Sequence, residues 1–267
     1  MRDEKEWGKL VIPETIQQAL LKLSHELGRP EHDYVILGEG NTSVRIDEGS
    51  FLVKASGTNL ATLRDSGLVR VSSEACRKML IGPELNDHEI TAALLDARVD
   101  PAGETRPSVE TVMHAVLLDL PGVNFVGHTH PTAINAINCS PRFDDALTPR
   151  LFPDHIVVCG PSAALVPYVD PGLPLARAVI EIARAYLDRF GEAPKTIYLK
   201  NHGFIALGSS AMEVSQVTAM AVKAARILLG AFAAGGPIFM SDADVSRIAG
   251  RDDEHYRQQV LRDRQSL

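Results

Sequence analysis

What most limits the folds open to this chain is a change of texture near residue 34. Before it, residues 12–27 open with Pro13 and place Ile16, Leu20, Leu23 and Leu27 at helical spacing, closing at Gly28. After it, residues 34–37, 42–46, 51–55 and 68–71 are short runs with β-branched residues, broken by Gly38, Gly40, Gly49 and Gly57. Such runs read as strands joined by tight turns, because glycine takes turn conformations without steric cost. Helical patterns follow at 73–80, 84–97, 108–120, 131–138, 175–190 and 211–234. Strand patterns fall at 123–127, 156–159, 196–200 and 204–207, and the charged segment from Asp242 reads as helical. No internal repeat and no Ser/Pro-rich linker divides the chain, so one α/β domain over residues 1–267 is expected. Strands and helices alternate irregularly after the hairpin-rich start, which does not suit a regular Rossmann sheet.

Charge and cysteine usage narrow the partners. The 267 residues carry 27 Lys and Arg against 34 Asp and Glu, a net charge of −7, with no basic run of five or more. A nucleic-acid partner needs a basic surface, so none is expected. Cys76, Cys139 and Cys159 lie far apart without a CxxC pair, which suggests a reducing compartment and no cysteine metal cluster. The N-terminus MRDEKEWGKL lacks the apolar core of a signal peptide. The apolar stretch 217–240 carries Lys223 and Arg226 and ends at Gly235-Gly236-Pro237, so it reads as a buried helix rather than a membrane span. A cytoplasmic protein with no membrane partner is expected.

The strongest chemical signal is Val126-Gly127-His128-Thr129-His130-Pro131. If the strand continues to 130, both imidazoles share a face and can meet one divalent ion. The plain reading is a surface pair or one buried, hydrogen-bonded histidine. A zinc site usually takes three protein ligands plus an open position. The third candidate is His202, between two apolar strands and before Gly203, where a turn residue or a core hydrogen-bond partner is the other reading. His155 is a rival; His25, His32, His88, His114 and His255 read as structural or solvated.

Pro107-Ser108-Val109-Glu110 reads as a helix start with Ser108 as N-cap and Glu110 at the second helical position. There the helix dipole favours a carboxylate, either as a plain cap or as a general base beside a metal, with Ser108 and the open amides receiving an anion. The clusters 38–43 and 55–59 read as anion-binding nests or as hairpin turns.

Taken in order, Gly40-Asn41-Thr42-Ser43, Ser56-Gly57-Thr58, Pro107-Ser108-Val109-Glu110 with His114, His128-Thr129-His130 and Asn201-His202-Gly203 resemble the class II aldolase/adducin family. The likeness runs from about Gly38 to Gly208, with helical extensions at both ends. It implies α-β-α layers with a central, largely antiparallel sheet flanked by helices, assembled as a homotetramer with active sites at subunit interfaces. It further implies a metal-dependent lyase acting on a phosphorylated sugar. His128, His130 and His202 would hold a divalent ion, Zn²⁺ with Mn²⁺ or Co²⁺ as alternatives. Glu110 would be the acid/base, and Gly40, Asn41, Ser56, Gly57 and Ser108 would bind the substrate and its phosphate.

The reaction so implied is cleavage of a ketose 1-phosphate to dihydroxyacetone phosphate and an aldehyde through a metal-stabilised enediolate. In relatives a tyrosine serves the C4 hydroxyl; Tyr34, Tyr168, Tyr186, Tyr198 and Tyr256 are the candidates. Epimerases of the family carry Asp at the position of Glu110, which favours the aldolase branch. Val109 stands where the common motif has a second serine, so one phosphate hydroxyl is missing. The stretches around Ser108, from His128 to Asn135 and from Val166 to Gly172 look most like the aldolase part of rhamnulose-1-phosphate aldolase/dehydrogenases and fuculose-1-phosphate aldolase-like proteins. With the chain ending at Leu267, no dehydrogenase domain is expected. A decarboxylase or epimerase on the same scaffold and a non-catalytic adducin-like binding module are the alternatives, the last disfavoured by the intact three histidines and Glu110.

Overall fold

The computed structural model describes residues 14–103 and 105–251; His255 and Tyr256 lie outside the described residues. Helix α1 (Glu14–Leu27) is followed by β1 (Asn41–Arg45), β2 (Ser50–Lys54) and β3 (Leu68–Ser72), then by α2 (Ser73–Ile81), α3 (Asp87–Asp96) and α4 (Thr111–Leu118). The central strand β4 (Phe125–Thr129) leads into α5 (Thr132–Asn138), α6 (Phe143–Ala146) and α7 (Pro153–Cys159). Then come β5 (Ala164–Val166), α8 (Leu173–Phe190), β6 (Thr196–Leu199), β7 (Gly203–Gly208), α9 (Ala211–Ala233) and α10 (Asp242–Ala249).

The strands form one seven-stranded sheet in the order β3-β2-β1-β4-β7-β6-β5. Every pairing is antiparallel except β5 with β6. Helices cover both faces, and the two-residue strand period divides the core accordingly. Ile197, Leu199, Ile205 and Leu207 pack with α2, α4 and α8, whereas Tyr198, Phe204 and Ala206 pack with α5 and α9. On β2, Phe51 and Val53 face the first layer and Leu52 meets Leu20 of α1 on the other. This is the three-layer, largely antiparallel arrangement that the resemblance implied.

Local chemistry sets the element ends. Asn86 caps α3 by accepting from the amides of His88 and Glu89 while Glu89 reaches back to the Asn86 amide, a capping box that starts the helix later than the apolar pattern suggested. Ser210 caps α9 in the same sense, and Gly191, at φ 75°, stops α8. Among the described residues, α9 is the one helix long and apolar enough to cross a membrane. Its Val214, Val217, Ala221 and Val222 are instead buried with the sheet, α1 and α5.

Three sequence expectations are corrected. Residues 34–37 are a loop, not a strand: Asp33 and Leu37 have positive φ, Glu39 N–H turns back to the Ile36 carbonyl, and Ile36 and Leu37 face solvent. Residues 156–159 belong to helix α7, because Pro153 is pre-set for a first helical turn and packing on α9 outweighs the β-branched run. The helix expected from Ser108 begins at Thr111, since Pro107 bridges to Ala55 and keeps that stretch extended. Short α6 and β5 had no expectation at all.

Gly127 lets both α1 and α9 rest on β4. A Cβ there would meet Val214 Cγ1 at 2.7 Å and Leu27 Cδ1 at 2.9 Å. Gly127→Val therefore overpacks the centre of the fold, at a cost of about 1–3 kcal/mol. Urea unfolding should show a lower midpoint at unchanged slope; an unchanged midpoint would mean the helices yield freely.

Candidate active site

Strand β4 ends at Thr129, so His130 lies one step beyond it rather than on it. The two rings still converge: His130 N–H is held by the Tyr34 carbonyl at 2.8 Å, and the Nε2 atoms of His128 and His130 face each other at 3.1 Å. His202 arrives from the turn between β6 and β7, where Asn201 takes φ 53°. Helix α5 holds that turn: Asn135 Nδ2 donates to the His202 carbonyl at 3.0 Å and Asn138 Nδ2 to the Gly203 carbonyl at 2.8 Å. Gly203 is required by proximity, because a Cβ would lie 2.6 Å from His130 Cδ2 and 2.8 Å from the Thr129 carbonyl oxygen.

The three rings sit 4.8–5.2 Å apart between centroids, mutually inclined, with one nitrogen from each within 4.8 Å of the others. The donor set fits a divalent cation. His128 donates Nδ1–H to the Phe204 carbonyl at 3.0 Å, which leaves its Nε2 lone pair turned into the cluster. That lone pair faces His130 Nε2, so a divalent cation can take the place of the ring-to-ring hydrogen bond between them. Tetrahedral ligation at roughly 2.0–2.1 Å puts ligand nitrogens about 3.4 Å apart, close to the spacing here.

Glu110 is the N-cap residue of α4, not its second residue, and its side chain makes no capping bond. It turns instead to the histidines. Its Oε2 accepts from Asn41 Nδ2 at 2.7 Å and lies 3.5 Å from His128 Nε2, while Oε1 lies 3.3 Å from His202 Nε2. Burial opposes its ionisation, but His128, His202 and the Asn41 amide outweigh burial and hold the carboxyl below the usual range. Burial also lowers His128 to about 4, with Glu110 partly offsetting it, and lowers His130, whose charged form His128 and His202 further disfavour.

The residues expected to bind substrate gather beside this cluster. Gly40, at φ 69°, brings the start of β1 against β4, where a Cβ would lie 2.6 Å from the His128 carbonyl oxygen. Asn41 follows, paired with His128. The bridge of Ala55 to Pro107, with Ser56 N–H on the Arg106 carbonyl at 2.9 Å, brings exposed Ser56 and Gly57 beside half-buried Ser108. Ser108 Oγ accepts from Glu110 N–H at 3.3 Å.

Sequence reading missed Lys54. It is buried at the end of β2, donates Nζ to the Gly38 carbonyl at 3.2 Å, and carries a pKa lowered by burial against the opposing charge of Glu110. A lysine directly after the apolar run Phe51-Leu52-Val53 was its sequence signal. A cavity of about 350 Å³ opens past His130, lined by Asp33, Val35, Ile36, Glu39, Thr132 and Asn135 among others.

Other candidates stand elsewhere. His155 is buried in α7 against the Phe152 ring, outside the cluster. His25 bonds the Leu63 carbonyl and His32 pairs with Glu26, as structural residues would. Of the tyrosines, Tyr168 bonds Asp170, Tyr186 bonds the Ser162 carbonyl, and Tyr34 stacks on His32. His114 is neither solvated nor remote: it is fully buried on Asn41 and Ser43.

The layered sheet and its three-histidine cluster define a class of α/β proteins that could bind a metal at one end of a central antiparallel sheet. Residues 18–229 match the family described as Class II Aldolase and Adducin N-terminal domain, and the chain belongs to that family. It is 27% identical over 190 residues to "Uncharacterized oxidoreductase YuxG" of Bacillus subtilis, which covers 68% of this chain but 25% of that protein. The chain thus spans a quarter of that relative's length. It is 26% identical over 200 residues, 74% of this chain and 80% of the relative, to "3-oxo-tetronate 4-phosphate decarboxylase" of Haemophilus influenzae. In structure it is similar to an L-fuculose 1-phosphate aldolase, with TM-score 0.70, 19% identity, and coverage of 91% of this chain and 98% of the other. At that identity the likeness speaks for the fold.

The lowered histidines set a pH dependence. His114 and His128 hold to about 4 when folded, mainly through burial, against roughly 6.5 in an unfolded chain. Between those values the unfolded state binds more protons, so their stabilisation is complete above about pH 6.5 and lost as pH falls toward 4. The Tm of EDTA-treated protein should be level above pH 7 and fall steadily from 6.5 to 4.5. A Tm flat across that window would contradict these assignments.

Proposed function

We propose that this chain is a metal-dependent carbon–carbon lyase that cleaves a phosphorylated ketose, as an aldolase of the ketose 1-phosphate type. The observation that carries the reading is one buried carboxylate, Glu110, set within 3.5 Å of His128 and His202 in a cluster of three imidazoles with one nitrogen from each ring within 4.8 Å of the others. His128, His130 and His202 would hold a zinc-type divalent ion, whose chemistry is to steady negative charge on the substrate's carbonyl oxygen as a Lewis acid. Neutral imidazole ligands leave the ion its full charge.

Glu110 works at the carbon that gains the electrons of the broken bond. In the condensation direction its carboxylate takes the proton from the carbon beside the carbonyl, and in the cleavage direction it returns that proton. Being ionised, Glu110 is in the form that accepts a proton in the first half of that exchange. Gly40, Ser56, Gly57, Ser108 and buried Lys54 receive the phosphate. Asn41, with its carbonyl on His114 and one amide hydrogen on Glu110, keeps its second amide hydrogen for the substrate. The cavity past His130 offers both carboxylates and apolar side chains to the hydroxylated, partly deoxygenated aldehyde half. A homotetramer in the cytoplasm is part of the same proposal, and light scattering reads the assembly.

A second reading is a decarboxylase, favoured by the likeness to the Haemophilus protein over most of that protein's length. Loss of CO₂ also leaves charge beside a carbonyl, so the same groups serve. Metal-loaded protein should release triose phosphate from a panel of ketose 1-phosphates and no CO₂ from 3-oxo acid phosphates. The reverse outcome selects the decarboxylase. EDTA should abolish turnover and metal should restore it, while Glu110→Gln should lower kcat by about 10²-fold or more at preserved metal content. Full activity in Glu110→Gln would overturn the role given to Glu110.

A further inference from the structure

Every side chain of α4 from Thr111 to Leu118 is buried, because α2 and α8 cover one side of the helix and the sheet lies on the other. In that environment a histidine is an expensive residue, and His114 is fully buried there, its pKa lowered to about 4 by desolvation. Its ring nevertheless wastes no polar atom. Nε2 bonds Asn41 Oδ1, and Nδ1 lies 2.7 Å from Ser43 Oγ. Asn41 and Ser43 are two apart on β1 and point to the same face, so one imidazole bridges both. One helical turn before His114 stands Glu110, whose carbonyl accepts the His114 amide at 3.2 Å.

The proton positions along this chain follow from a single constraint. An ionised carboxylate only accepts hydrogen bonds, so Asn41 must present its Nδ2 to Glu110. Its Oδ1 then faces His114, which requires the proton to be on Nε2. Nδ1 is left as an acceptor, and the Ser43 hydroxyl donates to it. Reverse the amide and two acceptors would face each other at 2.7 Å beside a buried carboxylate.

We infer that His114 is a positioning residue: its Nε2–H locks the side-chain amide of Asn41 in the one orientation that clamps Glu110 in place for proton transfer. The inference rests on the reading of Glu110 as the proton-transfer group. Unlike a general packing role, it requires a donor at a particular place, not merely a filled volume. His114 touches no metal-ligating atom, so its effect on turnover passes through Asn41 and Glu110 and leaves metal content alone. Sequence offered only a histidine one turn after Glu110, and the partner two strand positions away becomes visible once β1 is laid beneath α4.

The test compares three variants in the full chain. His114→Leu fills the space without a donor and should lower kcat about 10-fold or more, with KM within about threefold and metal content unchanged. His114→Gln keeps an N–H near the Nε2 position and should recover most of that loss. Ser43→Ala should give a smaller fall, because the ring keeps its bond to Asn41. Independently of turnover, NMR of protein labelled with ¹⁵N-histidine should show His114 as the neutral Nε2–H tautomer at pH 7. An Nδ1–H tautomer would overturn the inference. So would a folded His114→Leu with wild-type kcat, or His114→Gln as impaired as His114→Leu. If no ketose phosphate is cleaved by wild-type protein, the functional reading falls, while the tautomer measurement still decides the arrangement of Asn41.

Discussion

The close pairing of β1 with β4 at the centre of the sheet is the contact on which the rest of the site depends. Gly40 has no side chain and takes a positive φ, so the chain can pass against the His128 carbonyl and place Asn41 directly opposite His128. Directly paired residues point to one face of a sheet. That face is also the one on which α4 lies, which sets Glu110 and His114 over Asn41 and Ser43. On the other edge of β4, pairing with β7 brings the turn carrying His202 to the same end. Three strands far apart in sequence thereby deliver one cluster, and α5 braces the last of them through Asn135 and Asn138.

Electrostatics at this end of the sheet are local. The chain carries a net charge of −7, yet the proposed substrate is an anion. Buried Lys54 supplies positive charge, while burial keeps His128 and His130 neutral and therefore available as ligands. Glu110 accepts from Asn41 Nδ2 and lies 3.3 Å from His202 Nε2, contacts that favour its ionised form against the burial that opposes it. A carboxylate placed so deep without these partners would protonate instead.

Much of this was legible in the chain. The runs that became β2, β6 and β7 are apolar on both faces, and α8 and α9 carry long helical patterns, so their existence followed from periodicity alone. The spacing of His128 and His130 was enough to pair them, although the strand ends between them, because Pro131 stops the strand without turning the second ring away. Glu110 was found with the wrong local geometry. A helix start was expected at Ser108, and the bridge of Pro107 to Ala55, a contact between residues 52 apart, delays it. Likewise 156–159 had strand composition but helical packing partners, and 34–37 had apolar residues that the fold leaves mostly in a loop.

By itself the sequence determined the long helices, most of the strands and the list of chemically capable residues, since these rest on side-chain identity and on short-range periodicity; the three-layer character came with the family resemblance. Tertiary structure brought His128, His130 and His202, which the resemblance had named, within reach of one another among the described residues, and it alone decided that His155 stands apart, that Lys54 is buried and feels the charge of Glu110, and that His114 bridges Asn41 and Ser43. The reason is physical. Periodicity reports which face a residue takes, whereas coordination and hydrogen bonding depend on distances of a few ångströms between faces that only strand register and helix packing set.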